Sequence, residues 1–481
     1  MTPIPWIFAL ALCSPAALEN PAGPEPPIEA ELLSLTQAGL PASSDAFLRG
    51  AGGRVVSAGG RWVVFESAAA DLVPLDENAV GDVYLRDRLL GTTRRISNGP
   101  AGAATDGHSG SAVLSADGER VAFVSRGSDL APAADGAHYQ VYVWNREDDS
   151  LRCASLGPDG GVGGGNSYFP VLSEDGSRLA FYSEAPDLVP GDTNLRGDIF
   201  VLELTGGGPR RANRRPDGTE SPPGALPFFD LSGDGCSLAF VSADPDLSGA
   251  GSLPAPQVHL LDLATGQLEL VSYGTDGALA GELCQGVALG RDGRVVAFEC
   301  AAPLRPDDTN GVADVYLRDR ALGRTRCLSL DGEQLPMGGF GARLSPGGRF
   351  AVFSSRLGLG FSPAQLFLHD RAEGRSLWLS EIAGLPADGR LSVRGLARGR
   401  LGGRLFLRCR GLRGGRGTRW RHPGARHRVA RGERPVPRRR HGLVAVSLRQ
   451  PLRRRGGLRE RCGRGRAPLR RAWPKRPAAR L

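Results

Sequence analysis

The chain has 481 residues and a formal net charge of +9, but that charge is lopsided. Residues 391–481 hold 29 Arg and Lys475 against Glu433 and Glu460, so this segment carries +28 and the remainder −19. The basic pI therefore describes the tail, and any nucleic-acid argument drawn from charge applies to the tail alone. Lys475 is the only lysine; because lysine codons are AT-rich, this points to a GC-rich gene.

Residues 1–18 form an apolar leader. Ile7 to Cys13 (IFALALC) is followed by Ser14-Pro15-Ala16-Ala17, which has the form of an export signal and is too short to span a bilayer. No Lys or Arg precedes Arg49, so a basic first region is missing. A Pro-rich spacer occupies 19–30. Glu31 to Leu35 (ELLSL) then resembles the segment closing each later repeat, such as LELVS at 268–272, and reads as a lone strand arriving before its blade.

Repeats fill residues 31–383. A Phe-x-Ser strand (once Phe-x-Cys) places Phe at 65, 123, 181, 240, 298 and 353, with steps of 58, 58, 59, 58 and 55. The apolar triplet of DVYLRDR keeps the same period at Tyr84, Tyr142, Phe200, His259, Tyr316 and Phe367. Two landmarks in one register define a repeat protein. Each unit supplies four β segments: one before an Asp-Gly turn, the Phe-x-Ser strand, the DVYLRDR strand, and a last strand such as TRRIS at 93–97. Asp-Gly at 117–118, 175–176, 234–235 and 292–293 suits tight hairpins. Four antiparallel strands per repeat make a propeller blade. The expected fold is all-β, a β-propeller with six legible blades and room for a seventh or eighth, with Phe123, Phe181 and Phe240 buried.

LSxDGxxLAF followed by DVYLRD, over roughly residues 47–380, resembles the TolB-like propeller repeats of bacterial envelope proteins. The resemblance implies the fold and leaves function open, because such propellers serve many roles. Nothing here resembles the separate N-terminal domain of TolB, so its envelope-complex role is not carried over.

A seventh repeat would place its landmarks near 405–411 and 423. There the chain turns instead to Arg and Gly without strand periodicity, so residues 391–481 read as out of frame or disordered. Read one nucleotide later, Trp420 to His427 permits GDILVRDT, which has the form of DVYLRDR, and Leu405 to Cys409 permits FSSDA, which has the form of the Phe-x-Ser strand. A disordered basic extension and a nucleic-acid-binding arm are the alternatives.

Three long loops share Asp-x-Asn-x-x-x-Asp: Asp76, Asn78 and Asp82; Asp192, Asn194 and Asp198; Asp308, Asn310 and Asp314. Oxygens at alternating loop positions are what Ca²⁺ requires, and Asx-turn chemistry is the alternative. No bidentate Glu closes these loops, and calcium is the only cofactor the sequence suggests. Cys284 lies eight residues before the Asp292 turn and Cys300 eight after it, where two other repeats carry Ser109 and Ser125 or Ser167 and Ser183. A hairpin would bring the two Cys opposite each other, within disulfide reach; Cys153 and Cys327 are expected free. Gly-x-Ser-x-Gly and His-Glu-x-x-His are absent. His108 and His138 are expected on the surface and His259 packed. The resulting expectation is an exported, periplasmic or extracellular, monomeric scaffold without a transmembrane segment or nucleic-acid partner. It would bind a protein or glycan ligand on one propeller face without catalysis. A propeller-fold glycoside hydrolase or lyase is the runner-up, and a nucleic-acid-binding tail the third reading.

Overall fold

Both sequence landmarks sit on the two middle strands of each blade and meet as direct cross-strand partners. The pairs are Phe65–Tyr84, Phe123–Tyr142, Phe181–Phe200, Phe240–His259, Phe298–Tyr316 and Phe353–Phe367. Their ring centroids lie 5.5–5.9 Å apart, and all twelve rings are buried. An aromatic pair contributes about 0.5–1.5 kcal/mol beyond the burial of its area. The repeated stack is thus the unit from which each blade core is built.

The computed structural model describes residues 29–379, except 49–51, 79, 100–101, 132–133, 135, 249–254, 332, 335–337 and 357–363. It also describes the segments 397–399, 402–407 and 444–447. Six sheets each hold four antiparallel strands in sequence order. The third blade is typical: Ser167–Leu172, Arg178–Ser183, Asp198–Glu203 and Arg210–Arg211. Successive blades share apolar layers. Leu179 and Phe181 of the third pack with Val141 and Val143 of the second, and Ile199 and Val201 pack with Leu238 and Phe240 of the fourth. The fold is a β-propeller.

The Asp-Gly turns do more than close hairpins. Gly118, Gly176, Gly235 and Gly293 have φ of 64–76°, a left-handed conformation that glycine adopts without a Cβ clash. The preceding Asp side chain accepts the N–H two residues on, at 2.9–3.1 Å. Backbone bonds then link turn to turn around the centre: Ala58 N–H to Ala116 O, Ala116 to Glu174, Glu174 to Gly233, Asp234 to Arg291 and Arg291 to Pro346, all at 2.7–2.8 Å. This belt fixes one end of the inner strands.

A seventh sheet draws on three short segments of the tail. Ala397–Gly399, Gly402–Leu407 and Val444–Ser447 form three antiparallel strands, and Glu29–Leu32 adds the fourth by pairing with Val444–Ser447. These tail segments include the short apolar runs Leu405–Leu407 and Val444–Val446. The lone N-terminal strand takes the outer place that a last strand takes in every other blade. Among the described residues, no helix is long and apolar enough to cross a membrane.

Candidate functional site

The inner strands surround a central channel lined by residues of blades 1, 3, 4, 5 and 6, among them Arg54, Glu174, Asp230, Arg291 and Arg343. Val113, Val171, Asp230, Ala288 and Arg343 occupy one register position in blades 2 to 6, each opposite the residue preceding the blade's Phe. One ring of apolar positions is therefore broken by two opposite charges. Asp230 is fully engaged: its Oδ1 accepts the Leu231 N–H at 3.0 Å and its Oδ2 the Leu289 N–H at 2.8 Å. It lies deep in the protein yet stays half-buried because its remaining surface faces the channel. Burial raises its carboxyl to about 6, against the lowering effect of the Leu289 N–H and the Arg343 charge. Burial likewise lowers Arg343, opposed by Asp230 and Glu299. Arg343 donates to its neighbour's carbonyl, Ala342 O, at 3.0 Å and forms no ion pair within 4 Å among the described residues. At the turn end, Glu174 bridges Arg54 at 2.7 Å and Arg291 at 3.1 Å.

Two further acids serve the backbone. Glu66 accepts the Ser111 N–H at 2.9 Å and Glu299 the Gly341 N–H at 2.6 Å, each pinning the bulged inner strand of the next blade. The sequence reading missed this channel set. Its signal was available, as a charged residue on an inner strand where the other repeats carry Val or Ala.

The three Asp-x-Asn loops resolve into one repeated bond pattern. Asn78 Oδ1 accepts the Val80 N–H at 3.0 Å, while its Nδ2 donates to Asp82 Oδ2 at 2.9 Å and to Thr105 O at 2.8 Å. Asn310 repeats this with Val312 and Asp314, at 3.0 and 2.7 Å. Asn194 accepts from Arg196 N–H at 2.7 Å and donates to Ser221 O at 2.9 Å. Tyr84 donates to Asp76 and Tyr316 to Asp308. In all three loops the Asn side chain thus ties the loop to its own backbone, and in two of them it reaches a neighbouring carbonyl as well. Blades 2 and 4 achieve the same link with one residue: Gln140 Nε2 donates to Gly163 O at 2.8 Å and Gln257 Nε2 to Ala280 O at 3.2 Å, at the positions of Asp82 and Asp198.

Only one group of acids among the described residues converges closely enough to hold a metal: Asp192, Asp198 and Glu220, with oxygens within 4.8 Å of one another. The Arg211 guanidinium lies among them, 3.3 Å from Asp198, 3.9 Å from Asp192 and bonded to Glu220. Burial raises Asp198 to about 6, as it does Asp82, and raises Asp192 and Asp314. For Glu220, partial burial is outweighed by bonds from Thr193 and Arg211, which bring it down to about 2. The Arg211 cation offsets part of the negative charge of this cluster. Cys284 and Cys300 are register partners joined by a disulfide with Cα atoms 4.1 Å apart, and Cys153 and Cys327 are free and buried. His259 is fully buried, whereas His108 and His138 are half-buried rather than exposed, His108 because its ring meets Tyr139 edge-on.

No known family profile and no curated protein matches this chain in sequence. Among solved structures it is similar to TolB from Acinetobacter baumannii, with 15% identity and a TM-score of 0.34, over 62% of this chain and 58% of that one. The chain is also similar to an oligogalacturonate lyase from Vibrio parahaemolyticus (9% identity, TM-score 0.43, 74% of this chain and 86% of that one). A Pyrococcus horikoshii acylaminoacyl peptidase gives 13% identity and a TM-score of 0.43, over 79% and 51%. Likeness at this level is one of fold and says nothing about activity. The chain spans little more than half the length of that TolB.

Proposed function

We propose that this TolB-like propeller is an exported, non-catalytic scaffold that binds a protein or glycan ligand on one propeller face, as a monomer. The observation that carries this reading is the state of the channel acids. Glu174 is held between two guanidiniums and Asp230 between two backbone N–H groups, so each acts as a structural acceptor. A general acid or base must instead be free to reach a substrate proton. The Cys284–Cys300 bridge supports export, since disulfides persist in oxidising compartments. The nucleic-acid reading rests on the tail, most of which lies outside the described residues.

A glycoside hydrolase or lyase is kept as a second reading for one reason: Asp230, with a carboxyl near 6, shares the channel with Arg343. The two readings part in one experiment. The full chain is incubated with aryl glycosides and with polygalacturonate, beside Asp230→Asn. No product release from either protein is expected. Turnover by the wild type that Asp230→Asn abolishes would replace the scaffold reading with the enzymatic one. Fractionation with N-terminal sequencing of the mature chain tests export, and a cytoplasmic protein with its leader intact refutes it.

A further inference from the structure

Five aromatic rings run side by side across blades 2 and 3, at the ends of the strands opposite the Asp-Gly belt. His108 meets Tyr139 at 6.2 Å, Tyr139 meets Tyr168 at 5.6 Å, Tyr168 meets Phe169 at 5.8 Å and Phe169 meets Tyr182 at 6.5 Å. Every ring is half-buried, so each is anchored on one side and keeps surface in solvent on another. The row is built from departures from the repeat. Tyr139 stands where other blades have Gly81, Gly197, Pro256, Ala313 and Ala364, each directly before the Asp or Gln that opens the third strand. Tyr182 stands where blades 1 and 5 carry the backbone-pinning Glu66 and Glu299. Phe169 occupies the inner-strand bulge that blades 5 and 6 fill with Gly286 and Gly341 and blade 2 with Ser111, itself at φ 52°.

That last departure is strained. Phe169 has φ of 57°, close to the 64° and 68° of Gly286 and Gly341, and a left-handed aromatic residue is a genuine outlier. The neighbouring third strand makes room for the row: a Cβ on Gly197 would lie 1.8 Å from the Tyr182 hydroxyl. No protein group among the described residues bonds the hydroxyls of Tyr139, Tyr168 or Tyr182. The Glu184 carboxylate is close enough to Tyr168 and Tyr182 to raise both phenols, after the larger effect of burial. The Arg126 guanidinium lies 5.9 Å from the Tyr139 centroid at the other end.

We infer that this row is a binding platform for a neutral oligosaccharide, which deepens and rests on the face-binding reading above. Flat ring faces suit the C–H faces of pyranose rings, and unpaired phenols with a carboxylate and a guanidinium beside them suit sugar hydroxyls. The rings form an open row rather than a box, whereas a methylammonium group needs enclosure by several faces. The three ring steps from Tyr139 to Tyr182 each tilt by 41–44°, so a flat polymer surface could not lie on all of them. A flexible single chain could.

The test is calorimetry and affinity electrophoresis of the full chain against cello-, xylo-, manno-, laminari- and maltohexaose, with a trimethyllysine peptide as the competing chemistry. At least one hexasaccharide should bind. Tyr168→Ala and Tyr182→Ala should each weaken it at least tenfold, and Tyr168→Phe, which keeps the ring, two- to fivefold. Unchanged melting of the variants excludes misfolding, and the Phe variant keeps the test informative if an Ala variant misfolds. Peptide binding that Tyr168→Ala abolishes, without hexasaccharide binding, overturns the sugar inference and leaves a face-binding scaffold. Hexasaccharide binding that survives both Ala variants but is lost in Arg343→Ala moves the ligand to the channel and overturns the platform. If nothing in the panel binds, the platform inference fails outright; the scaffold reading then stands only if a protein partner is crosslinked to a propeller face.

Discussion

His259 occupies the place of a strand aromatic and should make folding sensitive to acid. Its ring lies 5.9 Å from Phe240, is fully buried, and neither ring nitrogen has a partner among the described residues. Burial lowers its imidazolium to about 4 from an ordinary value near 6.5. The folded state therefore binds fewer protons than the unfolded state between those two values. Stability from this group is complete above about pH 6.5 and is lost as pH falls towards 4. Linkage gives a loss of about 2 kcal/mol by pH 5 and about 3 kcal/mol below pH 4. His259→Phe restores the residue type that blades 3 and 6 use and removes two unpaired buried nitrogens. It should stabilise the protein at pH 7 by about 1–3 kcal/mol, the usual cost of an unsatisfied buried polar group. Its advantage over wild type should then widen by about 2 kcal/mol at pH 5. Urea unfolding of both proteins at the two pH values measures this, and taking the difference between them cancels every other titrating group. An advantage that is the same at pH 7 and pH 5 would show that His259 is solvated or hydrogen-bonded, and the argument would fail.

Asp82 and Asp198 act in the opposite sense. Burial lifts each to about 6, so the folded state holds the extra protons and stability falls as pH rises from about 4 to 6; in Asp82→Asn and Asp198→Asn, urea titration should show that slope reduced. Asn194→Leu removes the bonds to the Ser221 carbonyl, which keeps its Gly224 N–H, and to the exposed Arg196 N–H, and should cost about 0.5–1.5 kcal/mol, read by the same unfolding curves. Because the Asp-x-Asn loops bond internally, millimolar Ca²⁺ and EDTA should give the same melting temperature, and a rise of several degrees with Ca²⁺ alone would restore a metal role. Reducing the Cys284–Cys300 bridge should cost about 3 kcal/mol by chain entropy. The double variant Cys284→Ser with Cys300→Ser should lose less, because Ser109–Ser125 and Ser167–Ser183 hydrogen-bond at 2.8 Å in the same place.

The blades were legible because their landmarks are local: an Asp-Gly turn, an alternating strand and an aromatic at fixed spacing each have a short-range physical cause. Cys284 opposite Cys300 was legible for the same reason, since a hairpin register is arithmetic about its turn. The Asp-x-Asn loops were legible as a pattern, but their chemistry was open. Whether Asn78 turns an oxygen or an N–H₂ towards Asp82 depends on Thr105, 27 residues away, whose carbonyl takes the same amide group. The channel was hidden for a related reason. Asp230 and Arg343 meet only because the sheets close around an axis, and no local window contains both. Val444–Ser447 was illegible because one of its pairing partners, Glu29–Leu32, lies more than 400 residues earlier.

Two periods are superimposed in this chain, and what escapes both is informative. The single-blade period of about 58 residues sets strands, turns and stacks. A blade-pair period also runs through the loops: Asp76, Asp192 and Asp308 are spaced by 116 residues, and Asp82, Asp198 and Asp314 alternate with Gln140, Gln257 and Gln365. One Gln spans the gap that an Asp and an Asn share in the neighbouring blade, so the alternation preserves one bond by two chemistries and requires no ligand to explain it. Asp230 and Arg343 obey neither period, and neither do Tyr139, Phe169 and Tyr182. Each gives up something the repeat supplies: an apolar channel wall, a small residue, a relaxed glycine, a backbone-pinning carboxylate. Other blades also vary at the bulge and after the landmark Phe, with Ser111 at φ 52° and Val124, Val241 and Ser354, but none of them places an aromatic ring there. Three departures form one continuous half-exposed surface on blades 2 and 3, which is why the binding face is assigned there rather than to the charged tail or the acidic loops.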